Sequence, residues 1–377
     1  MSEKIKILYF VDRLLIGGIQ TFILNNIEYI DKTKVQIDFL ILDDGNVYEA
    51  ETDLKLQGYN VYKLKNIWIK KPGDYFKYFK AIDSFFSMHH DYKVVHLHSS
   101  SKNFYILKSA KKYGIPIRIA HSHNIGFQSK SKIQIMIGNL CKPLLKKYAT
   151  DYFACAYLAG EWLFGKKAVK DGKVRVIHNA VEYEKFKFNE EKRIEIRNRL
   201  NINEKLVIGN VGRFSEQKNH EFLIDIFNEI HKENKMTTLM LIGKGEKEEL
   251  IRKKVNDLGL ENDVIFMGFC NNVNELMWAM DIFLMPSLHE GLPVVGIEAQ
   301  AAGLPCFMSK DVITDEVNVT ELVKFIDLKQ NPQKWADEIL NSNLNRKDTE
   351  YEIKQAGYFI ENTANELEMF YCDSINK

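Results

Sequence analysis

The chain has 377 residues, a length that suggests about two domains. Hydrophobic residues make up 45% and charged residues 27%, an ordinary globular composition that argues against disorder. The net charge of +1 conceals an asymmetry, because residues 1–180 carry 28 basic and 16 acidic side chains, whereas residues 181–377 carry 24 basic and 35 acidic ones. Five scattered cysteines without a C-x-x-C pair argue against a disulfide framework or a zinc site and fit a reducing cytoplasm.

The first half alternates short β-rich runs with helix-length segments. Its first residues lack a long apolar segment, and no run in the chain approaches the roughly 18 apolar residues of a membrane span, so we expect neither a secretory signal nor a spanning helix. A helix is predicted over Thr21–Ile30, after a glycine pair. The predicted strands are Ile5–Val11, Val35–Leu42, Tyr59–Leu64, Val94–His98 and Ile117–Ala120.

The second half repeats this alternation after a junction near residues 176–181. Its predicted strands are Leu206–Val211, Leu239–Ile242, Val264–Met267, Ile282–Met285 and Cys306–Met308. Its predicted helices are His220–His231, Lys247–Leu258, Val273–Met280 and Val294–Ala302, and helical patterning continues at Pro332–Leu340 and Tyr351–Tyr371. Strands separated by helices predict parallel sheets covered on both faces, and hence two doubly wound α/β domains. Ligands would bind beyond the carboxyl ends of the strands, and two facing sheets would form a cleft.

A glycine pair, Gly17-Gly18, lies at the exit of the first predicted strand, just before a helix. Glycines at such a place allow backbone N–H groups to approach a phosphate, which the positive helix end also attracts. The pair is only a fragment of the G-x-G-x-x-G fingerprint, so a tight turn without a ligand explains it equally well.

Two cations follow the first strand of the second half, in segment 212–219 (G-R-F-S-E-Q-K-N). Arg213 would lie at the strand end and Lys218 at the helix start, where a guanidinium fork and a mobile ammonium suit a diphosphate. Two solvated surface cations are the alternative. Segment 243–246 (G-K-G-E) resembles part of a nucleotide loop but lacks the G-K-[ST] ending, so it predicts a sharp turn with or without a nucleotide nearby.

The most specific pattern is segment 286–299 (P-S-L-H-E-G-L-P-V-V-G-I-E-A). A strand ends at Met285 and a helix starts near Val294, so Glu290 would lie in the loop and Glu298 about one turn into the helix. Carboxylates accept sugar hydroxyls, and the free amides of a helix start can bind hydroxyls or phosphate. The alternative is that Glu290 caps the helix and Glu298 lies on a solvated face.

Two histidines, His121 and His123, end a strand of the first half in the run H-S-H-N. Two histidines in four residues could ligate a metal ion, but residues 92–150 contain no carboxylate and the chain has no D-x-D motif. We therefore expect no metal site. A single strand-end histidine is usually structural, although this one would open into the expected cleft.

Basic side chains concentrate in residues 92–150, which contain 11 Lys and Arg and no Asp or Glu. Residues 128–147 mix five lysines with Ile, Leu and Met, and the runs 68–71 (W-I-K-K) and 75–80 (Y-F-K-Y-F-K) add aromatic side chains. Such surfaces suit an anionic membrane. A packed amphipathic helix with solvated lysines is the alternative.

Together these motifs resemble those of a known family. The glycine pair, G-R-F-x₃-K and E-G-L-P-x₄-E-A resemble the GT-B glycosyltransferases of family 4 over nearly the whole chain. The E-x₇-E element in its P-S-x-x-E-G-x-P setting is highly specific, whereas the other motifs are specific only in combination. Segment 177–182 (I-H-N-A-V-E) resembles the family's P-N-G-V-D linker, with Ala180 in place of glycine. Segments 118–124 and 302–306 resemble enzymes that build bacterial capsular polysaccharides or exopolysaccharides.

The resemblance implies a GT-B fold, in which two Rossmann-like domains face each other across a cleft. Residues 1–180 would bind the acceptor, residues 181–354 would bind the nucleotide sugar, and a C-terminal helix at about 355–377 would pack back on the first domain. The implied reaction is a retaining transfer from a nucleotide-diphosphate sugar, with UDP favoured, to a glycan or lipid-linked oligosaccharide in cell-surface polysaccharide synthesis. No cofactor and no metal ion are implied. We expect a cytoplasmic enzyme, with peripheral contact to the inner face of the plasma membrane as a hypothesis.

The resemblance also assigns roles by position. Glu298 would bind the ribose hydroxyls and Glu290 the donor sugar, while Arg213 and Lys218 would neutralise the diphosphate leaving group. His123 or His121 would lie near the donor sugar, a two-residue choice in which we favour His123. Further donor contacts are implied at Gly17, Gly18, Gly268, Phe269, Cys270, Gly291, Leu292, Pro293, Val294 and Val295.

Other classes of protein share parts of this pattern. A nucleic-acid-binding protein could use the basic half, but no recognised motif is present and the acidic half argues against a nucleic-acid partner. Another GT-B nucleotide-sugar enzyme, such as a sugar epimerase or a phosphorylase, is a second alternative. The phosphorylase would need a pyridoxal-phosphate lysine context that is not seen. A non-catalytic module that binds sugar nucleotides is the third alternative.

Overall fold

The computed structural model describes residues 4–14, 17–64, 74–127 and 131–374, and the chain divides into two compact units. The first unit comprises Met1–Asn179 together with Ile360–Lys377, and the second comprises Ala180–Phe359. Each unit is a parallel sheet with helices, so the predicted fold class is confirmed. The described residues contain no helix that is both long and apolar enough to cross a membrane.

The sheet of the first unit is built from short apolar runs, which are typical of strands covered on both faces. Its strands are β1 (Ile5–Val11), β2 (Val35–Leu42), β3 (Val61–Leu64), β4 (Val94–His98), β5 (Ile117–Ser122), β6 (Asp151–Ala154) and β7 (Val174–Val176). Among the described residues they form one parallel sheet in the order β3-β2-β1-β4-β5-β6-β7. The helices that connect them are α1 (Gly18–Tyr29), α2 (Glu49–Leu56), α3 (Asp74–Met88), α4 (Phe104–Lys112), α5 (Lys132–Tyr148), α6 (Tyr157–Phe164) and α7 (Lys166–Lys170).

The second unit repeats the pattern with a smaller sheet. Its helices are α8 (Tyr183–Phe186), α9 (Glu190–Leu200), α10 (His220–Glu233), α11 (Glu248–Asp257), α12 (Val273–Ala279), α13 (Val294–Ala301), α14 (Pro332–Leu340) and α15 (Glu350–Gln355). Its strands are β8 (Leu206–Val211), β9 (Thr237–Ile242), β10 (Val264–Gly268), β11 (Ile282–Met285), β12 (Cys306–Ser309) and β13 (Val323–Ile326). In the described part of the chain these strands are parallel, in the order β10-β9-β8-β11-β12-β13.

Each sheet has a point at which the strand order reverses. β1 lies between β2 and β4 in the first unit, and β8 lies between β9 and β11 in the second. The helices that follow the central strand and its later neighbour leave the sheet on opposite sides, which opens a crevice at the carboxyl ends. The candidate residues should therefore be sought after β1, β4, β8 and β11.

The end of the chain differs from its predicted continuous helix over Tyr351–Tyr371. It forms two helices, α15 and α16 (Ile360–Asp373), because Gly357 takes a left-handed backbone conformation with φ of 80°. Between these helices Phe359 forms an isolated parallel bridge with Val181. α16 then packs on α1 of the first unit.

Three strands are absent from the sequence prediction. β6, β7 and β13 are only three or four residues long and lie toward the ends of their sheets. Such short runs carry little periodic signal, so neighbouring strands must specify them.

Candidate functional site

The loops that follow β8 and β11 are joined by hydrogen bonds in the second unit. The amide of Leu288 donates to the carbonyl oxygen of Gln217 at 2.8 Å, and Asn219 Nδ2 donates to the carbonyl oxygen of Pro286 at 3.0 Å. β8 and β11 are adjacent parallel strands, so the two loops leave the same edge of the sheet. The segment that contains Lys218 is thereby held against the segment that contains Glu290.

Lys218 and Glu290 form an ion pair at this edge, with 2.7 Å between Nζ and Oε1. The side chains are only 15% and 8% exposed, so solvent screens the pair weakly. Gln217 Nε2 donates to the other carboxylate oxygen of Glu290 at 3.1 Å and to the carbonyl oxygen of His289 at 2.9 Å. The structure thus brings together two predicted site residues and adds Gln217, which the sequence reasoning missed.

Gly212 provides the space in which the Lys218 side chain lies. A Cβ atom built on Gly212 would lie 3.0 Å from Cε and 3.2 Å from Cδ of Lys218. A larger residue at this strand end would therefore push the ammonium group away from its present position.

Arg213 occupies a more exposed place than Lys218. Its guanidinium contacts the Glu246 carboxylate, with 3.0 Å between Nη2 and Oε2, and the two side chains are 74% and 57% exposed. Exposed pairs of this kind contribute about 0–1 kcal/mol to stability. A ligand could therefore recruit Arg213 at little cost to the fold.

The G-K-G-E turn after β9 lies against the turn after β8. A Cβ on Gly243 would lie 2.1 Å from the Gly212 carbonyl oxygen, and one on Gly245 would lie 2.3 Å from the Phe214 carbonyl oxygen. Gly243 also has φ of 135°, a conformation that side chains disfavour. Close packing of the two turns therefore explains both glycines without a nucleotide.

Glu298 lies on α13, and its environment differs from that of Glu290. Burial raises the pKa of Glu298 to about 7, and the positive charge of Lys185 opposes that shift only in part. The carboxyl group therefore changes its charge near neutral pH. Glu298 is half-buried, so it does not lie on a fully solvated face.

α13 begins without a side-chain cap. Pro293 is its N-cap residue, no side chain of the described residues caps the first turn, and the amide of Gly296 donates to the carbonyl oxygen of Pro293 at 2.9 Å. The alternative in which Glu290 caps this helix is therefore wrong. The amides of Leu292, Val294 and Val295 remain predicted ligand contacts.

The predicted base-binding residues follow β10. Gly268 has φ of 68°, and its carbonyl oxygen accepts a hydrogen bond from the amide of Gly243 at 2.8 Å. Phe269 is 57% exposed, and Cys270 Sγ donates to the carbonyl oxygen of Met267 at 3.4 Å. These contacts tie the end of β10 to the turn after β9.

In the first unit, a cavity of about 250 Å³ lies at the carboxyl ends of β1, β4 and β5. Asp12 reaches it from β1, and both His121 and His123 reach it from the end of β5. Trp162 and Lys102 also line it and offer an aromatic face and a cation. The choice between the two histidines remains a prediction, because both lie in the cavity wall.

Asp12 is held by hydrogen bonds in this cavity. Asn103 Nδ2 donates to Asp12 Oδ1 at 2.5 Å and also contacts Ser99 Oγ at 2.6 Å. Burial raises the pKa of Asp12, while hydrogen bonds from Ser99 and Asn103 and the charges of Lys102 and Arg13 oppose that shift. The sequence reasoning missed Asp12, although its place directly after the first strand could have indicated it.

Four histidines on neighbouring strand ends form two hydrogen-bonded pairs. His96 Nε2 lies 3.1 Å from His121 Nδ1, and His98 Nδ1 lies 2.9 Å from His123 Nε2. Burial lowers the pKa of all four, to about 3 for His123, so they are neutral at pH 7. The sequence reasoning missed His96 and His98, although two H-x-H runs separated by 25 residues were a visible signal.

Three of these histidines also lie close enough together for their ring nitrogens to hold one metal ion. One ring nitrogen each from His96, His98 and His121 lies within 4.8 Å of the others. The prediction of no metal site considered nearby carboxylates and D-x-D motifs and did not foresee this convergence of histidines. The His96–His121 pair, however, already engages one nitrogen of each ring in a hydrogen bond.

Gly17 and Gly18 lie where α1 begins. The backbone of Gly17 is extended, and its carbonyl oxygen accepts a hydrogen bond from the amide of Thr21 at 3.0 Å. A Cβ built on Gly18 would meet no atom within 4 Å, so open space adjoins this part of the backbone. The phosphate contact itself remains a prediction.

The basic stretch of the first unit includes an exposed apolar stripe on α5. Ile133, Met136, Leu140 and Leu144 follow one helix face and are 67%, 55%, 67% and 37% exposed. These four side chains are therefore not packed against the unit, whereas the amphipathic-helix alternative requires a packed apolar face. Residues 68–71 and 128–130 lie outside the described residues.

Comparison with known proteins identifies the family. The models described as "Glycosyltransferase Family 4" and "Glycosyl transferases group 1" match residues 16–185 and 192–359. A protein named "Putative glycosyltransferase EpsF", from Bacillus subtilis (strain 168), is 32% identical over 345 residues, which cover 90% of this chain and 88% of that protein. The chain belongs to the family 4 glycosyltransferases, which confirms the resemblance drawn from its motifs.

Two further proteins are similar to this chain. The Escherichia coli UDP-Gal:alpha-D-GlcNAc-diphosphoundecaprenol alpha-1,3-galactosyltransferase is 24% identical over 321 residues, covering 81% of this chain and 80% of that protein. The crystal structure of Anabaena Alr3699/HepE in complex with UDP and glucose has a TM-score of 0.70 at 19% identity, covering 99% of this chain and 96% of that chain. The latter likeness establishes the shared fold.

Proposed function

We propose that this glycosyltransferase moves a sugar from a UDP-sugar to a lipid-diphosphate-linked glycan during the synthesis of a cell-surface polysaccharide. The observation that carries the proposal is the shielded Lys218–Glu290 ion pair where β8 and β11 end, in a chain of this family. The substrates in the name of the Escherichia coli relative and the UDP bound to the Anabaena protein support the chosen donor and acceptor classes. The second unit would bind the donor and the first unit the acceptor.

The proposed chemistry in the second unit follows from charge. When the bond between the anomeric carbon and the diphosphate breaks, its electron pair stays on the diphosphate oxygen. Lys218 keeps N–H donors beyond its contact with Glu290, and Arg213 offers an exposed fork, so both can neutralise that charge without a metal ion. Loss of a donor with such a role costs about 3–4 kcal/mol of transition-state stabilisation.

The two carboxylates would orient the donor. Glu290 is fixed by Lys218 and Gln217 and would accept a hydrogen bond from a sugar hydroxyl. Glu298 would accept hydrogen bonds from the ribose hydroxyls when it is ionised. The acceptor hydroxyl would attack the face from which the diphosphate leaves and would give its proton to the departing phosphate oxygen, which retains the anomeric configuration.

The cavity of the first unit has the side chains that a glycan needs. Trp162 offers an aromatic face for a sugar ring, and Asp12 and Lys102 offer an acceptor and a donor for hydroxyl groups. We assign this cavity to the carbohydrate part of the acceptor. The exposed stripe of α5 would lie on the membrane that holds the lipid part, at the cytoplasmic face.

A donor panel tests the proposed reaction. UDP-glucose, UDP-galactose, UDP-N-acetylglucosamine, GDP-mannose and ADP-glucose are incubated with the enzyme and a GlcNAc-diphospho-lipid, with and without EDTA. We expect release of UDP and a longer glycan from one UDP-sugar, at equal rates with EDTA. Loss of product with EDTA would contradict the metal-free reaction, and turnover of GDP- or ADP-sugars alone would contradict the chosen base.

A vesicle assay tests the membrane contact separately. The enzyme should sediment with vesicles that contain anionic lipid more than with neutral vesicles, because apolar side chains beside lysines favour an anionic surface. Ile133→Ser with Leu140→Ser should abolish this difference. The matched control is Leu56→Ser with Met88→Ser, which alters residues 81% and 68% exposed elsewhere in the first unit. Equal sedimentation with both vesicle types would contradict the membrane contact.

A further inference from the structure

Lys102 lies between the cavity of the first unit and the exposed apolar stripe of α5. It belongs to a short turn after β4, Ser101–Asn103, and its half-buried side chain lines the cavity. Its Nζ lies 3.4 Å from Oε1 of Gln134, a residue in the first turn of α5 that also lines the cavity. The stripe begins one residue earlier, at Ile133. The polar cavity and the apolar stripe therefore meet at Lys102.

The ammonium group of Lys102 forms no ion pair within the described part of the chain. It is also the only full positive charge among the described residues of the cavity wall at pH 7, because His121 and His123 are neutral. An ammonium group donates charge-assisted hydrogen bonds to phosphate oxygens. The position of Lys102 therefore suits an anionic group of a ligand that enters the cavity.

Asp12 offers a different chemistry in the same cavity. Asn103, the neighbour of Lys102, donates from Nδ2 to Asp12 Oδ1 at 2.5 Å. A carboxyl group can accept a hydrogen bond from a sugar hydroxyl, but it repels phosphate when it is ionised. The contacts thus run from Asp12 through Lys102 to the apolar stripe. This order matches a ligand with a glycan, an anionic group and an apolar chain in sequence.

The turn that carries Lys102 is fixed to α5. Ser101 Oγ donates to the carbonyl oxygen of Gly138 at 2.7 Å, and both residues are buried. A Cβ built on Gly138 would lie 2.3 Å from a ring carbon of Phe127, which also lines the cavity, so this close packing requires glycine. The cavity wall and the stripe are therefore held at a fixed spacing, with Lys102 between them.

We propose that Lys102 binds the diphosphate of the acceptor and thereby selects acceptors in which a diphosphate joins the glycan to an apolar chain. The inference deepens the proposed function and rests on it for the donor and the glycan, but not for the contact with phosphate. An ammonium group has three N–H donors, so Lys102 can contact a sugar hydroxyl and the diphosphate together. The residue distinguishes a lipid-diphosphate-linked glycan from an uncharged one.

Binding without a donor sugar tests the contact directly. Three compounds carry GlcNAc and the same short alkyl chain, joined by a diphosphate, by one phosphate or by an oxygen atom alone, and are titrated calorimetrically in uncharged detergent. We expect the wild type to bind the diphosphate compound about 10- to 100-fold more tightly than the uncharged one, with the monophosphate between them. Equal affinities for the three compounds, or no binding of any, would overturn the proposal.

Lysine variants assign the preference to one side chain. Lys102→Met should reduce the preference to about twofold while it leaves the affinity for the uncharged compound unchanged, which also shows that the variant is folded. Lys102→Arg should keep most of the preference, because a guanidinium also donates to phosphate. The matched control is Lys93→Met, since Lys93 is an exposed lysine at the opposite end of β4. An unchanged preference in Lys102→Met, or an equal loss in Lys93→Met, would overturn the proposal.

A phospholipid headgroup could supply the same phosphate chemistry. The titrations are therefore repeated in mixed micelles with about a tenfold molar excess of phosphatidylglycerol over the diphosphate compound. We expect the wild type to keep its preference, because the headgroup lacks the glycan that enters the cavity. Loss of the preference in these micelles would assign Lys102 to phospholipid headgroups and overturn the proposal.

Transfer assays separate this inference from the proposed function. In Lys102→Met, kcat/KM for the diphosphate acceptor should fall about 10- to 100-fold, mainly through a higher KM, while KM for the UDP-sugar stays unchanged. The expected binding pattern without sugar transfer by the wild type would contradict the proposed function alone. Transfer to the diphosphate acceptor with equal efficiency by the wild type and Lys102→Met would contradict this inference alone.

Discussion

The two sheet edges that carry the candidate residues have the same strand topology but differ in charge. In the second unit, the crevice beside β8 contains the ion pairs Lys218–Glu290 and Arg213–Glu246. In the first unit, the corresponding edge beside β1 and β4 contains neutral histidines paired with one another. The same arrangement of parallel strands therefore carries ion pairs at one edge and paired, neutral histidines at the other.

Under the proposed function, this difference would divide the work of the reaction between the two edges. A diphosphate gains negative charge as the sugar leaves, so cations that are already oriented provide the largest stabilisation. Sugar hydroxyls carry no charge and are bound by directed hydrogen bonds, which neutral rings supply without the desolvation of an ion. We expect substitutions in the charged edge to have larger effects than those in the neutral edge.

The largest effect is expected from Lys218→Met. The catalytic efficiency kcat/KM should fall about 10²- to 10³-fold, because a cation that faces the leaving group is lost. The variant should also unfold more easily, by about 3 kcal/mol, because it leaves the nearly buried Glu290 carboxylate unpaired. Nucleotide release and urea unfolding measure the two effects.

Two further variants separate stability from catalysis at this pair. Lys218→Met with Glu290→Gln removes both charges and should recover most of the lost stability but none of the activity. Lys254→Met alters a lysine that is paired with Asp225 at 2.6 Å between two helices of the same unit, and it should keep normal activity. Recovered activity in the double variant would refute the assigned role of Lys218.

A smaller effect is expected from Arg213→Ala. The fold should keep its stability within about 0.5 kcal/mol because the side chain is exposed. The kcat/KM value should fall about 10- to 100-fold if the guanidinium donates to the diphosphate. Glu246→Gln, which removes only the partner of Arg213, is the matched control and should leave turnover nearly unchanged. Similar losses in both variants would favour a structural role for the pair.

The pH dependence of UDP binding distinguishes the two edges further. Glu298 must be ionised to accept two ribose hydroxyls, so affinity should rise as pH increases through about 7, and Glu298→Gln should remove this rise. At pH 8 the variant should bind UDP about tenfold more weakly. His121→Gln and His123→Gln should leave the rise in place, since both rings remain neutral across this range. Calorimetric titrations from pH 5.5 to 8.5 provide the measurement.

The same carboxyl group predicts a change in stability with the opposite sign. The pKa of Glu298 is raised from 4.5 in the unfolded chain to about 7 in the fold, so the folded protein binds the proton more tightly. The wild type should lose stability as pH rises from about 4.5 to 7, relative to Glu298→Gln. Equal melting temperatures at pH 5 and a more stable variant at pH 8 would confirm this; a less stable variant at pH 8 would contradict it.

The smallest effect is expected from Gly212→Ala. The new Cβ would lie 3.0 Å from Lys218 Cε, so the flexible stem must move by a few tenths of an ångström. We expect a few-fold lower kcat with nearly normal stability, measured with the same nucleotide assay. Gly18→Ala, where a Cβ meets open space, should be stable and should weaken UDP binding only if its amide contacts phosphate. An unchanged Gly212→Ala enzyme would indicate that the ammonium position is not critical.

The sequence predicted the charged edge better than the neutral one. Glu290, Glu298, Arg213 and Lys218 belong to short motifs that surround predicted strand ends, so local spacing was enough to select them. Gln217 has no such signal, because its contact with Glu290 depends on how two separate loops meet. The neutral edge depends on pairs between β4 and β5 and on a tyrosine from α16, which no local pattern connects.

By itself, the sequence determined the elements that local physics controls. Apolar runs of strand length, glycines at the turns and the E-x₇-E spacing specified the α/β class, the family and the main charged residues. Only the tertiary structure decided which strand ends are neighbours, that the C-terminal segment breaks at Gly357 and returns to the first unit, and that Tyr371 meets His96. Those contacts join residues far apart in the chain, and they form because burial of apolar faces brings distant segments together, which no local spacing encodes.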